Sequence, residues 1–126
     1  RARRMDGIPR IAPEALLAAL DAERPPVVID VRATSADQVG GPIIPTALFH
    51  TLDGLRRMPV EALLDRSVVL YCACPREASA AMGALILQGR GHVRVHALQG
   101  GLDAWIARGH PVVESAAVRA REPASM

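Results

Sequence analysis

The chain has 126 residues, half of them hydrophobic, which suits one globular domain with a substantial core. All fifteen basic residues are arginine, so the lysine chemistry of Schiff bases and P-loop phosphate sites is excluded. The sequence contains no apolar run near the roughly 18 residues that a transmembrane helix needs. It also contains no apolar segment of the signal-peptide type after its N-terminal residues RARRMDGIPR.

The positive charge is concentrated at the start of the chain. The formal net charge is +2, but residues 1–10 alone hold four arginines and one acidic residue. The remainder is close to neutral, so no broad nucleic-acid-binding surface is expected. We interpret residues 1–10 as a solvated basic tail or linker. Such segments also flank membrane spans on the cytoplasmic side, so a tether to a membrane domain preceding residue 1 is an alternative expectation.

Helical periodicity and short apolar runs alternate along the chain. Pro13 followed by Leu16, Leu17 and Leu20 predicts a first helix, and the run VVIDV is typical of a buried parallel strand. In chain order the predicted elements are helix 13–22, strand 27–31, loop 33–46, strand 47–49, helix 59–65, strand 67–72, helix 77–88, strand 92–98, helix 102–108 and a tail from 115. This alternation predicts an α/β domain with a mostly parallel sheet.

Both cysteines of the chain lie where a predicted strand becomes a helix. Cys72 ends the strand and Cys74 follows two residues later, in the stretch LYCACPREASAAMGALIL. A thiol has an ordinary pKa of about 8.5, and the N–H groups at a helix start favour its thiolate. Cys72 is therefore a candidate nucleophile. Two closely spaced cysteines are not a disulfide framework, and sparse thiols suit a reducing compartment such as the cytoplasm.

The spacing after Cys72 argues against phosphate chemistry. A cysteine phosphatase needs an arginine six residues after its nucleophile to hold the phosphate dianion, and that position is Ala78. The nearest arginine is Arg76, and the adjacent Glu77 adds a negative charge. The segment fits a carrier of sulfane sulfur better.

Four segments, in order, resemble the rhodanese family of sulfurtransferase domains. They are VVIDVR (27–32), IIPTALFHTLDGL (43–55), VVLYCACPREAS (68–79) and VRVHALQGGLDAWIARGHPV (93–112). The resemblance spans about residues 10–113, and the last two segments contribute most to it.

The resemblance implies a rhodanese-like domain over residues 11–114, with a C-terminal tail at 115–126. It implies a central five-stranded, mostly parallel sheet flanked by helices on both faces. Cys72 would accept sulfur as a persulfide and pass it to a thiophilic acceptor, with no cofactor. Its active-site loop would comprise Ala73, Cys74, Pro75, Arg76, Glu77 and Ala78. The implied partners are a small-molecule or protein sulfur donor and a thiol acceptor.

The loop departs from the usual rhodanese pattern. Family loops carry small residues and glycine in the middle and an Arg-Ser pair near the end, whereas this chain has Cys74-Pro75 and places Glu77 at the usual arginine position. Pro75 removes one N–H donor. Glu77 is expected to weaken the attraction for thiosulfate, or to cap the helix and favour a cationic or neutral donor. The loop resembles those of rhodanese domains attached to bacterial membrane proteins.

Other interpretations remain open at this point. The altered loop also suits a regulatory or docking module with weak transfer activity, and the Cys72–Cys74 pair suits a thiol redox sensor. A metal site at these cysteines is disfavoured because the four histidines lie in unrelated segments. Asp30 and Arg32 end a predicted strand and are expected to hydrogen-bond a neighbouring loop, with Arg32 as a candidate anion contact.

Overall fold

The computed structural model describes residues 7–73 and 77–117 of the chain. Within these ranges a five-stranded sheet has every neighbouring pair parallel, in the order β1-β6-β5-β2-β4. A second, two-stranded antiparallel sheet pairs β3 with β7. The strands are β1 (Arg10–Ile11), β2 (Val27–Asp30), β3 (Pro42–Ile43), β4 (Leu48–Phe49), β5 (Val68–Tyr71), β6 (Val95–Leu98) and β7 (Val113–Glu114).

The helices cover both faces of the larger sheet. They are α1 (Pro13–Leu20), α2 (Ala36–Val39), α3 (Leu52–Arg57), α4 (Ala78–Gly89) and α5 (Gly101–Ala107), with a 3-10 turn at Glu61–Leu63. Buried side chains of α3 and α4 form one core cluster against the sheet, and those of α1 and α5 form another on its opposite face. The second cluster contains Trp105, which is fully buried and donates its Nε1–H to the carbonyl of Pro111 at 2.7 Å.

Strand β5 lies at the centre of the sheet, and all four of its residues are buried. Because successive side chains of a strand point to opposite faces, Val68 and Leu70 pack with α3 and α4, whereas Val69 and Tyr71 pack with α1 and α5. Burial on both faces explains why the strand reads as a continuous apolar run rather than an alternating one.

The predicted α/β class, with five parallel strands between two helical layers, is confirmed. Several element boundaries were wrong. Helix α3 was not predicted, and the helix expected at 59–65 contains one 3-10 turn at 61–63. The segment 33–46, expected to be a loop, contains α2 and β3. Their brevity explains these misses, since elements of two to six residues show little periodicity.

The last predicted strand begins later than expected. Strand β6 starts at Val95 rather than at residue 92, and Val93, whose alternation with Val95 and Ala97 is typical of a strand, is 73% exposed. The chain first turns at Gly91, which has φ +98°, and it buries His92. This turn breaks the alternation before the strand begins.

The folded part extends into the segment predicted to be a tail. Arg10 opens β1, where it pairs with Ala97, and Ile8 is buried in the core. At the other end, Ser115 is buried and its N–H donates to the carbonyl of Gly41 at 2.9 Å. None of the described helices is long and apolar enough to cross a membrane.

Candidate active site

Cys72 lies at the carboxyl edge of the sheet, where polar groups from several parallel strands meet. It directly follows β5, and its side chain is 3% exposed. It belongs to the core cluster beneath α3 and α4, because it lies two residues after Leu70 on the same face of the strand. Helix α4 begins at Ala78, so a short segment carries the chain from the thiol to a helix start.

Glu77 forms the boundary between that segment and α4. It occupies the N-cap position with φ +60° and ψ 23°, a left-handed conformation that side chains other than glycine rarely adopt. Its backbone carbonyl accepts the N–H of Ala81 at 2.8 Å, which closes the first turn of the helix. The positive φ costs on the order of 1 kcal/mol, so other contacts must stabilise this conformation.

Those contacts are made by the carboxylate of Glu77. One oxygen accepts the Nε–H of Arg10 at 2.8 Å, and the other accepts the backbone N–H of Gly100 at 2.7 Å. The side chains of Glu77 and Arg10 are 14% and 26% exposed, so this ion pair is partly shielded from water. The expectation that the Glu77 side chain caps α4 was wrong, because its carboxylate makes no capping hydrogen bond. It reaches across to β1 and to the segment after β6 instead.

The segment after β6 also holds Cys72. The N–H of Leu102 donates to the carbonyl of Cys72 at 3.0 Å, only two residues beyond the N–H that binds Glu77. Gly100 and Gly101 have φ +77° and +64°, which glycine adopts without strain. The turn at Gly100 and Gly101 therefore orients backbone N–H groups toward the carbonyl of Cys72 and the carboxylate of Glu77.

Asp30 and Arg32 lie at the same edge but on the other face of the sheet. Arg32 donates to the fully buried Asp30 carboxylate through Nε at 3.0 Å and Nη2 at 2.8 Å, and its Nη2 also lies 3.4 Å from the carbonyl of Pro42. The Arg32 guanidinium carbon is 5.8 Å from the centre of the Tyr71 ring. Asp30 aligns with Tyr71 in the sheet register, whereas Cys72 packs on the opposite face. The pair therefore supports the fold rather than surrounding the thiol.

Three predicted loop residues, Cys74, Pro75 and Arg76, lie outside the described ranges. The redox role considered for the Cys72–Cys74 pair and the membership of Arg76 in the active-site loop stay predictions. Ala73 and Ala78, which flank these residues and Glu77, are both exposed. No group of three or more His, Cys, Asp or Glu side chains suited to a metal is found in residues 7–73 and 77–117.

Sequence reasoning missed Arg10, Gly100 and Leu102 as neighbours of the thiol segment. Arg10 is 67 residues from Glu77 along the chain and had been assigned to the tail. A topological signal existed for the other two, because residues that follow adjacent parallel strands meet at one edge of the sheet. No local pattern marks Arg10, since β1 has only two residues.

A cavity of about 430 Å³ lies elsewhere, beside the start of β2, and Cys72 does not line it. Its walls are mainly apolar residues of α1, β2 and two proline-containing segments: Leu17, Leu20, Pro25, Pro26, Val27, Pro45. This cavity is therefore separate from the Cys72 thiol.

Comparison with protein families identifies the domain. The model of the rhodanese-like domain matches residues 12–108, most of the chain. The chain belongs to the rhodanese-like family. A search among curated proteins found no match.

Solved structures of rhodanese-like proteins share this fold. A rhodanese-related protein from Thermoplasma volcanium is 24% identical with a TM-score of 0.68, over 83% of this chain and 97% of that one. A rhodanese-like domain from Anabaena is 24% identical with a TM-score of 0.69, over 94% and 86%. A thiosulfate sulfurtransferase from Pseudomonas aeruginosa is 24% identical with a TM-score of 0.72, over 90% of this chain and 21% of that protein. At these identities the likeness concerns the fold.

Proposed function

We propose that this rhodanese-like protein is a sulfurtransferase that carries sulfane sulfur as a persulfide on Cys72. The observation that carries the proposal is the position of Cys72 in the described structure. It is the first residue after the central strand β5, in the segment that leads to the start of α4. A thiol that leads into a helix start is activated by the N–H groups there, which favour the thiolate and oppose the effect of burial, which alone would raise its pKa.

The start of α4 supports the chemistry of an anionic sulfur. The first N–H groups of a helix lack partners within the helix, and they stabilise nearby negative charge. The Glu77 carboxylate does not cap them, since it binds Arg10 and Gly100 instead. Among the described residues, the Glu77 carboxylate therefore leaves these donors to another acceptor, such as a thiolate or persulfide. Helix α4 has 12 residues, long enough for its dipole to contribute.

The proposed reaction has two steps. The Cys72 thiolate attacks the outer sulfur of the donor, a new S–S bond forms, and the donor's own bond to that sulfur breaks. With thiosulfate the leaving group is sulfite, which departs with the electron pair. In the second step a thiophilic acceptor, such as a thiolate or cyanide, attacks the outer sulfur of the persulfide. The Cys72 thiolate leaves, so the enzyme returns to its starting state without net oxidation or reduction.

In this proposal the charge of Glu77 has little influence on the choice between anionic and cationic sulfur donors. The charge of its carboxylate is matched by Arg10 at 2.8 Å, and the side chain is 14% exposed. A paired and shielded carboxylate exerts a weak field on an approaching anion. We therefore expect no strong rejection of thiosulfate, and both thiosulfate and low-molecular-weight persulfides are suitable test donors.

Intact-protein mass spectrometry tests the function. The reduced protein is incubated with thiosulfate or with a cysteine-desulfurase persulfide, then with cyanide as acceptor. We expect one added sulfur atom that cyanide removes, present in Cys74→Ser and absent in Cys72→Ser. Absence of an adduct from both donors, in folded protein whose Cys72 still alkylates, would refute the transferase and favour the docking module. Oxidation to a Cys72–Cys74 disulfide without an adduct would favour the redox sensor.

A further inference from the structure

One short turn binds both Cys72, which would carry the persulfide, and Glu77, which directly precedes α4. The carbonyl of Cys72 accepts the N–H of Leu102 at 3.0 Å, and the carboxylate of Glu77 accepts the N–H of Gly100 at 2.7 Å. Since Cys72 and Glu77 are five positions apart, fixing both fixes the span between the thiol and the start of α4. The turn at Gly100–Leu102 is in turn held by β6, which is paired with the central strand β5.

Arg10 completes this arrangement from the edge of the sheet. Its Nε–H binds the second oxygen of Glu77 at 2.8 Å, and its Nη1 donates to the carbonyl of Ile8 at 2.7 Å. Arg10 pairs with Ala97 in β1–β6, so its backbone is fixed relative to the Gly100 turn. We call Arg10, Glu77 and the N–H of Gly100 the latch.

The latch explains why Glu77 tolerates a left-handed backbone. Hydrogen bonds to a charged group are among the stronger ones in proteins, and two of them outweigh the conformational cost of φ +60°. Glycine at this position would adopt the same backbone conformation without strain, but it has no side chain to bind Arg10 and Gly100. The side chain therefore holds the residue that turns the chain into α4.

We propose that Glu77, held by Arg10 and Gly100, is a positioning residue for sulfur transfer that aims the start of α4 at the Cys72 sulfur. The inference rests on the proposed function, and it assigns Glu77 no contact with the donor. Glu77 then affects sulfur transfer through the geometry at Cys72, and its charge does not select the donor. Loss of the latch lowers reaction with every donor by the same factor, because one rearrangement near the nucleophile affects all of them.

The variant Glu77→Gln separates the two explanations. A carboxylate accepts both N–H groups through its two oxygens, whereas an amide has one accepting oxygen and its NH₂ cannot accept. The substitution therefore breaks half of the latch while it keeps the shape of the side chain and removes its charge. Arg10→Gln weakens the same latch from the other side. The matched control is Asp65→Asn, which removes an ion pair between Arg24 and Asp65 whose side chains are 68% and 73% exposed.

Rates of persulfide formation give the first readout. They are measured with thiosulfate, an anion, and with cysteamine persulfide, which carries an ammonium group. We expect Glu77→Gln and Arg10→Gln each to lower the rate of persulfide formation by about tenfold with both donors. The double variant should react about as fast as either single variant, because the two substitutions disrupt one unit. Asp65→Asn should match the wild type. A gain with thiosulfate beside a loss with cysteamine persulfide would overturn the proposal in favour of selection by charge.

Alkylation of Cys72 by iodoacetamide as a function of pH gives the second readout, in a Cys74→Ser background so that one thiol reacts. Removing the negative charge of Glu77 alone would move the midpoint to lower pH, whereas withdrawing the N–H groups of α4 from the sulfur moves it to higher pH. We expect the higher midpoint in Glu77→Gln. An unchanged or lower midpoint, in a variant that unfolds like the wild type, would overturn the proposed positioning role of Glu77. This readout needs no sulfur donor, so it tests the latch even if wild-type protein forms no persulfide and the proposed function fails.

Discussion

The hydroxyl of Tyr71 accepts a hydrogen bond from the backbone N–H of Ile44 at 3.1 Å. Both residues are fully buried, and they are 27 positions apart in the chain. The bond connects the end of β5 to the segment after β3, which crosses the face of the sheet beneath α1 and α5. Tyr71 thereby anchors one face of the strand from which Cys72 emerges, while Cys72 itself packs on the other.

Burial raises the pKa of Tyr71 far above its ordinary value of about 10, and the nearby Asp30 charge raises it further. The folded state therefore favours the neutral phenol. Its contribution to stability is complete below pH 10 and is lost progressively as the pH rises above that value. We expect the ultraviolet absorbance of tyrosinate to appear only when the protein unfolds in alkali.

Tyr71 is the only tyrosine of the chain, so this absorbance reports one residue. The control is the same titration in urea, where the midpoint should return to about 10. A midpoint near 10 in protein that circular dichroism shows to be folded would contradict the burial of Tyr71.

Gly100 tests the turn that binds Glu77 and Cys72. A side-chain Cβ at Gly100 would lie 2.5 Å from the Cβ of Ala104, in addition to the strain of φ +77°. Gly109 is the matched control, because it has φ +72° with no atom within 4 Å of the added Cβ. We expect Gly100→Ala to lower the free energy of unfolding by about 1–3 kcal/mol more than Gly109→Ala, since only the first adds a clash.

Chemical denaturation measures both variants. Equal losses of unfolding free energy in the two variants would mean that the turn relaxes around the added methyl group. That result would contradict close packing between Gly100 and Ala104. Gly100→Ala should also slow Cys72 alkylation, whereas Gly109→Ala should leave it unchanged.

The buried Asp30 carboxylate predicts a large effect of removing Arg32. Arg32→Met leaves a fully buried charge without its principal partner, which typically costs about 3–5 kcal/mol. The same change at Arg24, whose ion pair with Asp65 is exposed, should cost about 0–1 kcal/mol. The additional change Asp30→Asn should restore part of the stability in the Arg32→Met background. Similar unfolding curves for Arg32→Met and Arg24→Met would refute a structural role for the Asp30–Arg32 pair.

Burial lowers the pKa of His50 below its ordinary value of 6.5. The folded state therefore favours neutral imidazole, and this contribution is complete above pH 6.5 and is lost as the pH falls below it. NMR titration of the imidazole protons should give a midpoint below 6.5, assigned by the signal that disappears in His50→Gln. A midpoint at or above 6.5 would contradict the inferred effect of burial on the pKa of His50.

Local sequence was sufficient to predict the main strands of the fold. The runs VVID and VVLY are continuous and apolar because both faces of a central parallel strand are buried, and this marks them as β2 and β5 without further information. Helices α1, α4 and α5 were predicted within about two residues, since they are long enough to show periodicity or have glycine and proline at their ends. The short β1 and β7 and helix α3 were missed, because they are defined by pairing and packing.

The sequence by itself determined the α/β class, the central strand and the placement of Cys72 where a strand leads to a helix, since each follows from the order of residues over short distances. Only the tertiary structure decided what Glu77 does. Its carboxylate binds Arg10 and Gly100, which lie 67 and 23 positions away, and no local pattern encodes such contacts. They arise because parallel strands bring distant segments to one edge of the sheet, where a side chain bonds to whatever group the topology places beside it.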